Sequence, residues 1–386
     1  SIRRHKETEK DVDLVASSKH PEKIMNSFVK FKRVEEVVAK GQTKSSIMLD
    51  TGLQVDLRVV SDKEFPFALH HFTGSREHNT ALRSKAKKMN LKMNEYGIFK
   101  NEKLIPCKDE TEIFEKLNLT FIPPELREDQ GEVDAAQKGT RPPLVEEKDI
   151  KGMFHVHTTY SDGVHSLVEM VGAAEKLGYQ YIGLSDHSRS AHYANGLSED
   201  EIKRQHEEID QLNEKNKKIT IFKGIESDIL GDGKLDYQDQ VLESFDFIIA
   251  SVHSGFSMSE EKMTQRIIKA MSHPLTTMVG HLTGRLLLSR PEYAVNTKKI
   301  LDAAEKYGVV IELNSNPHRL DIDWRHLKEL KKHNVLVSIN PDAHRMAGLS
   351  HVHFGVGIAR KGWLTTKSVL NSRPLESIQE FLHKGN

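Results

Sequence analysis

From about residue 150 to residue 345, short apolar runs alternate with amphipathic stretches, and most apolar runs end in histidine, aspartate or glutamate. The runs fall at 153–157, 181–184, 219–225, 245–252, 277–279, 309–313 and 335–339. Helical spacing fills most of the gaps, at 166–177, 199–212, 260–271 and 296–307. Strand, helix, strand at this interval predicts βαβ units and a parallel sheet. Seven strands suit a closed barrel slightly smaller than the eight-stranded norm, while an open doubly wound sheet fits the same periodicity.

The strand ends carry the chemistry. The first closes on His155-Val156-His157, with Asp162 shortly after, and the second on Asp186-His187. Glu226, His253 and His281 follow the next three, and Asp342-Ala343-His344 follows the last. In a parallel barrel all of these lie at one mouth, the C-terminal face where active sites form. Histidines at i and i+2 of a strand point the same way, so His155 and His157 can grip one ion. Six imidazoles, three carboxylates and no thiolate suit Zn²⁺, Mn²⁺ or Fe²⁺ and disfavour Ca²⁺ and soft metals. Nine candidates exceed the needs of one tetrahedral ion and imply two or three clustered metals. The 21 histidines of the chain are therefore only partly a metal signal, because six of them stand at strand ends.

Composition narrows the remaining classes. The single cysteine, Cys107, excludes a disulfide scaffold and a thiolate zinc site. Equal numbers of basic and acidic side chains, 56 of each, exclude a wholly basic nucleic-acid coat and a disordered polyelectrolyte. That balance is not uniform: residues 1–122 hold 23 Lys and Arg against 18 Asp and Glu, and the remainder is acidic by the same margin. No apolar run reaches the roughly 18 to 20 residues of a membrane span, so no membrane partner is expected. The proline pairs 123–124 and 142–143, with little apolar periodicity between them, predict a linker over 123–148.

The strand-end motifs, in this order, resemble those of the PHP (polymerase and histidinol phosphatase) family over roughly residues 149–386. The resemblance implies a distorted (β/α)7 barrel holding up to three metals, Mn²⁺ or Zn²⁺. It would give His155, His157, Glu226 and Asp342 to one ion. Glu226 would bridge to a second held by His253 and His281, and Asp162, His187 and His344 would hold a third. Clustered divalent ions activate water and neutralise phosphoryl oxygens, so metal-assisted phosphoester hydrolysis follows. Arg285 and Arg319 are candidates to orient a substrate phosphate. Glu312 and Asn314 close the one strand without a candidate ligand and receive no role.

The front of the chain separates possible substrates. Asp11 and Asp13 fall on one face of a predicted strand, and Asp56 with Arg58 on the polar face of another. Three aspartates converging from neighbouring strands would hold two Mg²⁺ or Mn²⁺, activate a primer hydroxyl and clamp a triphosphate. Ser1-Ile2-Arg3-Arg4 resembles the triphosphate-binding motif of family X DNA polymerases. The segment 71–79 resembles the part of that family that holds the nucleotide sugar and base. The likeness implies nucleotide contacts at Ser1, Arg4, Phe72, Gly74 and Asn79, and a template contact at Arg83.

Taken whole, the chain resembles a bacterial-type family X DNA polymerase with a C-terminal PHP domain, lacking the N-terminal part. The fold expected is α/β: a polymerase X-type palm and thumb at 1–122, the linker, then the barrel at 149–386. The expected activity is DNA repair, joining a metal-dependent 3′–5′ exonuclease to gap-filling nucleotidyl transfer. DNA and deoxynucleoside triphosphates are the expected partners, acting on a monomer in the bacterial cytoplasm at the nucleoid. A small-molecule phosphatase of the histidinol phosphate type shares the barrel and is the alternative.

Overall fold

A computed structural model describes residues 1–383; the last three residues of the barrel expected at 149–386 lie outside the described residues. The chain divides into two compact units, Ser1–Pro142 and Pro143–Asn386.

The first unit is built on a four-stranded sheet of β1 (Asp11–Ser17), β2 (Val34–Lys40), β3 (Lys44–Leu49) and β4 (Gln54–Val60), in the order β1-β4-β3-β2. β1 and β4 run parallel, connected through α1 (Pro21–Phe28), β2 and β3, and the other pairs are antiparallel. β4 alternates cleanly: Val55, Leu57 and Val59 are buried, while Gln54, Asp56 and Arg58 keep partial exposure. That period of two places Asp56 on the face away from Met25, Leu57 and Val59, which pack together.

Three helices follow, α2 (Phe65–Thr73), α3 (Arg76–Lys88) and α4 (Glu110–Lys116). They bury Phe67, Leu82, Ile113 and Phe114 beside a small antiparallel sheet of β5 (Lys92–Asn94), β6 (Gly97–Lys100) and β7 (Lys103–Ile105).

The stretch 123–148 is not a bare linker. Pro124–Leu126 forms a 3-10 turn and Glu132–Lys138 forms α5. A buried ion pair from Arg127 to Glu110, and a hydrogen bond between His78 Nδ1 and Glu132 Oε1 at 2.6 Å, hold it to the helices in front. These polar contacts and a few scattered buried side chains, Leu126 and Ala136 among them, tether the segment without apolar periodicity, which is why a hydrophobicity pattern reads it as loose.

The second unit is a seven-stranded parallel sheet: β8 (Gly152–Val156), β9 (Tyr181–Leu184), β10 (Thr220–Asp228), β11 (Phe247–Ser251), β12 (Met278–Val279), β13 (Val310–Asn314) and β14 (Val337–Asn340). Neighbours follow sequence order, and a parallel bridge from Val156 to Ala343 brings the last strand back to the first. The barrel is therefore nearly closed, and the open doubly wound alternative is excluded. Seven strands stand where seven apolar runs were expected. The crossover helices include α6 (Leu167–Lys176) and α7 (Glu199–Lys215), each started by a capping box, Ser166 with Glu169 and Ser198 with Glu201.

The barrel interior is graded from apolar to polar. At its lower end Phe154, Tyr181, Phe222, Phe247, Ile249, Met278 and Val310 form one cluster, sealed by Leu370, Ile378 and Leu382. Gly183 and Gly224 fit because Phe247 fills the space beside them; a Cβ at either would meet its ring within 2.7 Å. Further along β10 and β13 the same face turns polar: Phe222 leads to Glu226 through Gly224, and Val310 leads directly to Glu312. In these two strands the alternation of side chains thus delivers Glu226 and Glu312 to one mouth.

Candidate metal centre

At that mouth the nine expected ligands meet. Four groups of side chains bring ligand atoms within 4.8 Å of one another: His157, Asp162, His187 and His344; His155, Glu226 and His281; His155, His157 and Asp342; and His187, Glu226 and His253. Glu226 sits at the centre. Its Oε1 lies 2.8 Å from His281 Nε2, 3.2 Å from His155 Nε2 and 3.3 Å from His253 Nε2. Its Oε2 lies 3.0 Å from His187 Nδ1 and 3.6 Å from His157 Nε2. Asp342 Oδ1 stands 3.6 Å from His155 Nε2 and 3.5 Å from His157 Nε2, while Asp162 Oδ1 is 3.3 Å from His344 Nε2.

Three of these residues, His155, His281 and Asp342, have positive φ of 59°, 24° and 48°. Non-glycine residues adopt that region at a cost, and such strain gathers at functional sites.

Electrostatics separates the imidazoles into two kinds. Burial, reinforced by His344 and His187, pulls His157 down to about 3. Burial and the nearby Arg319 bring His281 to about 4. Burial also opposes charge on His253, but Glu226 and Asp228 outweigh it and lift the ring to about 9. Burial works against ionisation of Glu226 too, yet His155, His253 and His187 hold its carboxyl well below the usual range.

The residues fit divalent ions. His155 Nε2, both nitrogens of His157, His187 Nδ1, His281 Nδ1 and Glu226 Oε2 are buried without a hydrogen-bond partner. Orphaned polar atoms of this number are expensive in a protein interior unless a ligand completes them. Their chemistry is nitrogen and carboxylate oxygen, the donor set of Zn²⁺, Mn²⁺ and Fe²⁺.

Two supporting carboxylates stand behind the imidazoles, one of them the Glu312 that strand position alone left without a role. Glu312, fully buried in β13, contacts His155 Nδ1 at 2.6 Å and accepts from His281 N–H at 2.7 Å. It also accepts from the side-chain amides of Asn340 and Asn314, at 3.0 Å and 3.1 Å. Asp228 meets His253 Nδ1 at 2.5 Å. Such partners fix which ring nitrogen faces the ion. The signal was present in the sequence: a glutamate inside Val310-Ile311-Glu312-Leu313 is a charge in a buried strand and needs a partner. Asp186, by contrast, is not a ligand: it accepts from Thr158 N–H and Oγ1, Ser161 Oγ and Gln205, and so pins the loop after β8.

The two candidate phosphate arginines part company. Arg319 places Nε 3.1 Å from Asp342 Oδ2, at the mouth. Arg285 does not serve the expected contact. Its guanidinium is buried, donating to the carbonyls of Arg319 and Leu320 and to Asp323 and Glu292.

In the first unit Asp13 lies opposite Asp56 in the parallel register, with Asp11 two residues before it. The three share a sheet face, but among the described residues they do not close into a ligand-spaced group of the kind seen at the barrel. Burial and the charges of Asp11 and Asp56 raise Asp13, while Asp56 is lowered, against its burial, by Gln54 and by Lys44 at 3.0 Å. A cavity of about 70 Å³ brings Ser1, Asp13, Phe72 and Thr73 together. Gly74 has no room for a side chain, because a Cβ would stand 2.7 Å from Asn79 Oδ1. Asn79 itself donates to the His71 carbonyl at 2.7 Å. Arg4 turns inward to Glu128 at 2.7 Å, and Arg83 is exposed on α3. Among the described residues no helix is long and apolar enough to cross a membrane.

Comparison with known proteins agrees with this division. Residues 68–128 match the family model for the DNA polymerase beta thumb, and residues 154–316 that for the PHP domain. The DNA polymerase/3′-5′ exonuclease PolX of Bacillus subtilis (strain 168) is 39% identical over 392 residues, covering all of this chain and 68% of the relative. The repair DNA polymerase X of African swine fever virus is 33% identical over 137 residues, 33% of this chain and 78% of that one. A probable phosphatase of Thermoanaerobacter sp. (strain X514) is 28% identical over 245 residues, 59% of this chain and 92% of that one. The front unit thus has polymerase relatives, the barrel also has phosphatase relatives, and one relative spans both: the chain belongs to the PolX family of DNA polymerases that carry a PHP domain.

Proposed function

We propose that the barrel hydrolyses DNA from its 3′ end with Mn²⁺ or Zn²⁺, and that the front unit adds nucleotides with Mg²⁺ or Mn²⁺ to fill short gaps. The observation that carries the reading is the pooling of eight ligand-type side chains with Glu226, most of them buried, at one barrel mouth. Divalent ions there would lower the pKa of a water and neutralise phosphoryl oxygens. The chain's own residues would hold and aim them: His155, His157, Glu226 and Asp342 at one position, His253 and His281 with Glu226 shared at a second, and Asp162, His187 and His344 at a third. Arg319 offers a positive group at the same mouth for a phosphate oxygen. In the front unit Asp11, Asp13 and Asp56 are the proposed metal carboxylates, and Ser1, Phe72, Gly74 and Asn79 line the nucleotide. DNA repair by a cytoplasmic, nucleoid-associated monomer is the setting in which the two activities fit.

Digestion of a primed duplex with Mn²⁺ tests the first half. His155→Ala and Asp342→Ala should each lose at least about 100-fold in rate, since even supporting residues of a metal site are worth 10- to 100-fold. Equal digestion by both variants would sink the assignment. An Asp11→Asn/Asp13→Asn variant should lose nucleotide addition and keep digestion.

A second reading, a small-molecule phosphatase, draws on the phosphatase relatives of the barrel. Release of phosphate from histidinol phosphate faster than of nucleotides from the duplex would favour it.

A further inference from the structure

Bare aromatic surface has no part in gripping cations or a phosphate, yet the barrel mouth displays it. Tyr193 is 69% exposed, on the 3-10 turn His192–Ala194 of the loop that begins with His187. Its ring centroid stands 6.0 Å from that of His187 and 6.2 Å from that of His253, inclined at 61° and 68°. The phenol therefore meets two ligand-type imidazoles in tilted, edge-to-face contacts while most of its surface stays open.

The loop beneath it is rigidly tied. Arg189 N–H donates to Tyr237 Oη at 2.9 Å and Ser190 N–H to Asp236 at 2.6 Å. The Ser188 carbonyl lies against Gly196 so closely that a Cβ there would fall 1.8 Å from its oxygen. Leu288, 94% exposed within the loop spanned by the Leu286–Arg290 bridge, adds a second bare apolar side chain after a ligand-bearing strand end. A small polar phosphate ester would leave both unused. A nucleotide carries the matching pair of features, an anionic phosphate and a flat apolar base.

We propose that Tyr193 is a stacking platform for the nucleobase at the strand end being cleaved, so that the barrel recognises a nucleotide and not a phosphate alone. The proposal rests on the hydrolase reading above and names its substrate unit. Stacking on an aromatic ring tolerates every base, because each has a π-face. Tyr193 is a binding residue in this account, and its effect belongs in KM.

The test uses the full chain with Mn²⁺ and two oligonucleotides identical except at the 3′ terminus, one ending in a normal nucleotide and one in an abasic sugar. The wild-type protein should prefer the natural end by roughly tenfold in kcat/KM, within the range of one base stacked on one aromatic ring. Tyr193→Phe should keep that preference, and Tyr193→Ala should bring the ratio close to one through KM. An undiminished preference in Tyr193→Ala overturns the platform while leaving the hydrolase reading in place. Failure of the wild-type protein to cleave either oligonucleotide removes the hydrolase reading and the platform with it.

Discussion

The barrel mouth and the aspartate face of the front sheet both gather carboxylates, but they do so in opposite ways. At the mouth, Glu226, His155, His157 and His281 are buried and meet across the barrel. On the sheet, Asp11 and Asp13 are exposed, and nothing but the strand register aligns them with Asp56. A site set in a closed barrel is shaped by the core beneath it, here the Phe154, Phe222 and Phe247 layer. A site on an open sheet face leaves its final geometry to the substrate and ions that cover it.

That contrast gives predictions of decreasing size. Chelation should strike the barrel first, because its ions bind the folded state alone. Metal at 100 to 1,000 times Kd adds about 3 to 4 kcal/mol, so chelator should lower the barrel's thermal transition and leave that of the front unit in place. Differential scanning calorimetry would show it, and a shared shift would dissolve the comparison.

Next comes Glu312→Gln, which keeps shape but weakens the hold on His155 and His281. Metal affinity should fall about 10- to 100-fold, read by titration with Mn²⁺, with the fold retained by circular dichroism.

Asp321 gives a smaller, pH-dependent effect. Burial pushes its carboxyl up to about 6, although it accepts from Thr283 N–H at 3.0 Å. The folded state then holds this proton more tightly than the unfolded chain, whose aspartate titrates near 3.9. The contribution is fully present below about pH 4 and is lost as pH rises to about 6, by up to roughly 1.4 kcal/mol per pH unit. Denaturant melts of Asp321→Asn should lack that slope relative to the parent.

The smallest is a local reactivity. Cys107 is 7% exposed and its thiol is pushed up to about 11 by burial and Glu112. Iodoacetamide at pH 8 should label it only after unfolding, which makes it a reporter for the front unit that is blind to the barrel.

The sequence made the strand ends legible because a period of two, once the strands are placed, sends residues of like parity to one face. His155, His157 and Asp342 declare themselves that way. Glu312 obeys the same rule two residues beyond Val310, yet its residue type alone does not tell an ion ligand from a carboxylate that orients histidines. Arg285 and Arg319 are the reverse case. Both follow strand ends, and only the fold reveals that carbonyls of the 319–320 turn take up the first. The 123–148 segment was opaque for a third reason: its anchors are single contacts, the Arg127 ion pair, the Glu132 hydrogen bond and the scattered buried Leu126 and Ala136, which leave no periodic trace.

The sharing of side chains among the four groups at the mouth has an evolutionary side. Four residues, His155, His157, His187 and Glu226, each serve two groups. Substituting any one of them disturbs two positions at once, so double mutants should show strongly non-additive effects. A centre wired in this manner does not drift ligand by ligand: its nine positions change as a block or hardly at all, and new specificity has to arise in the loops around them.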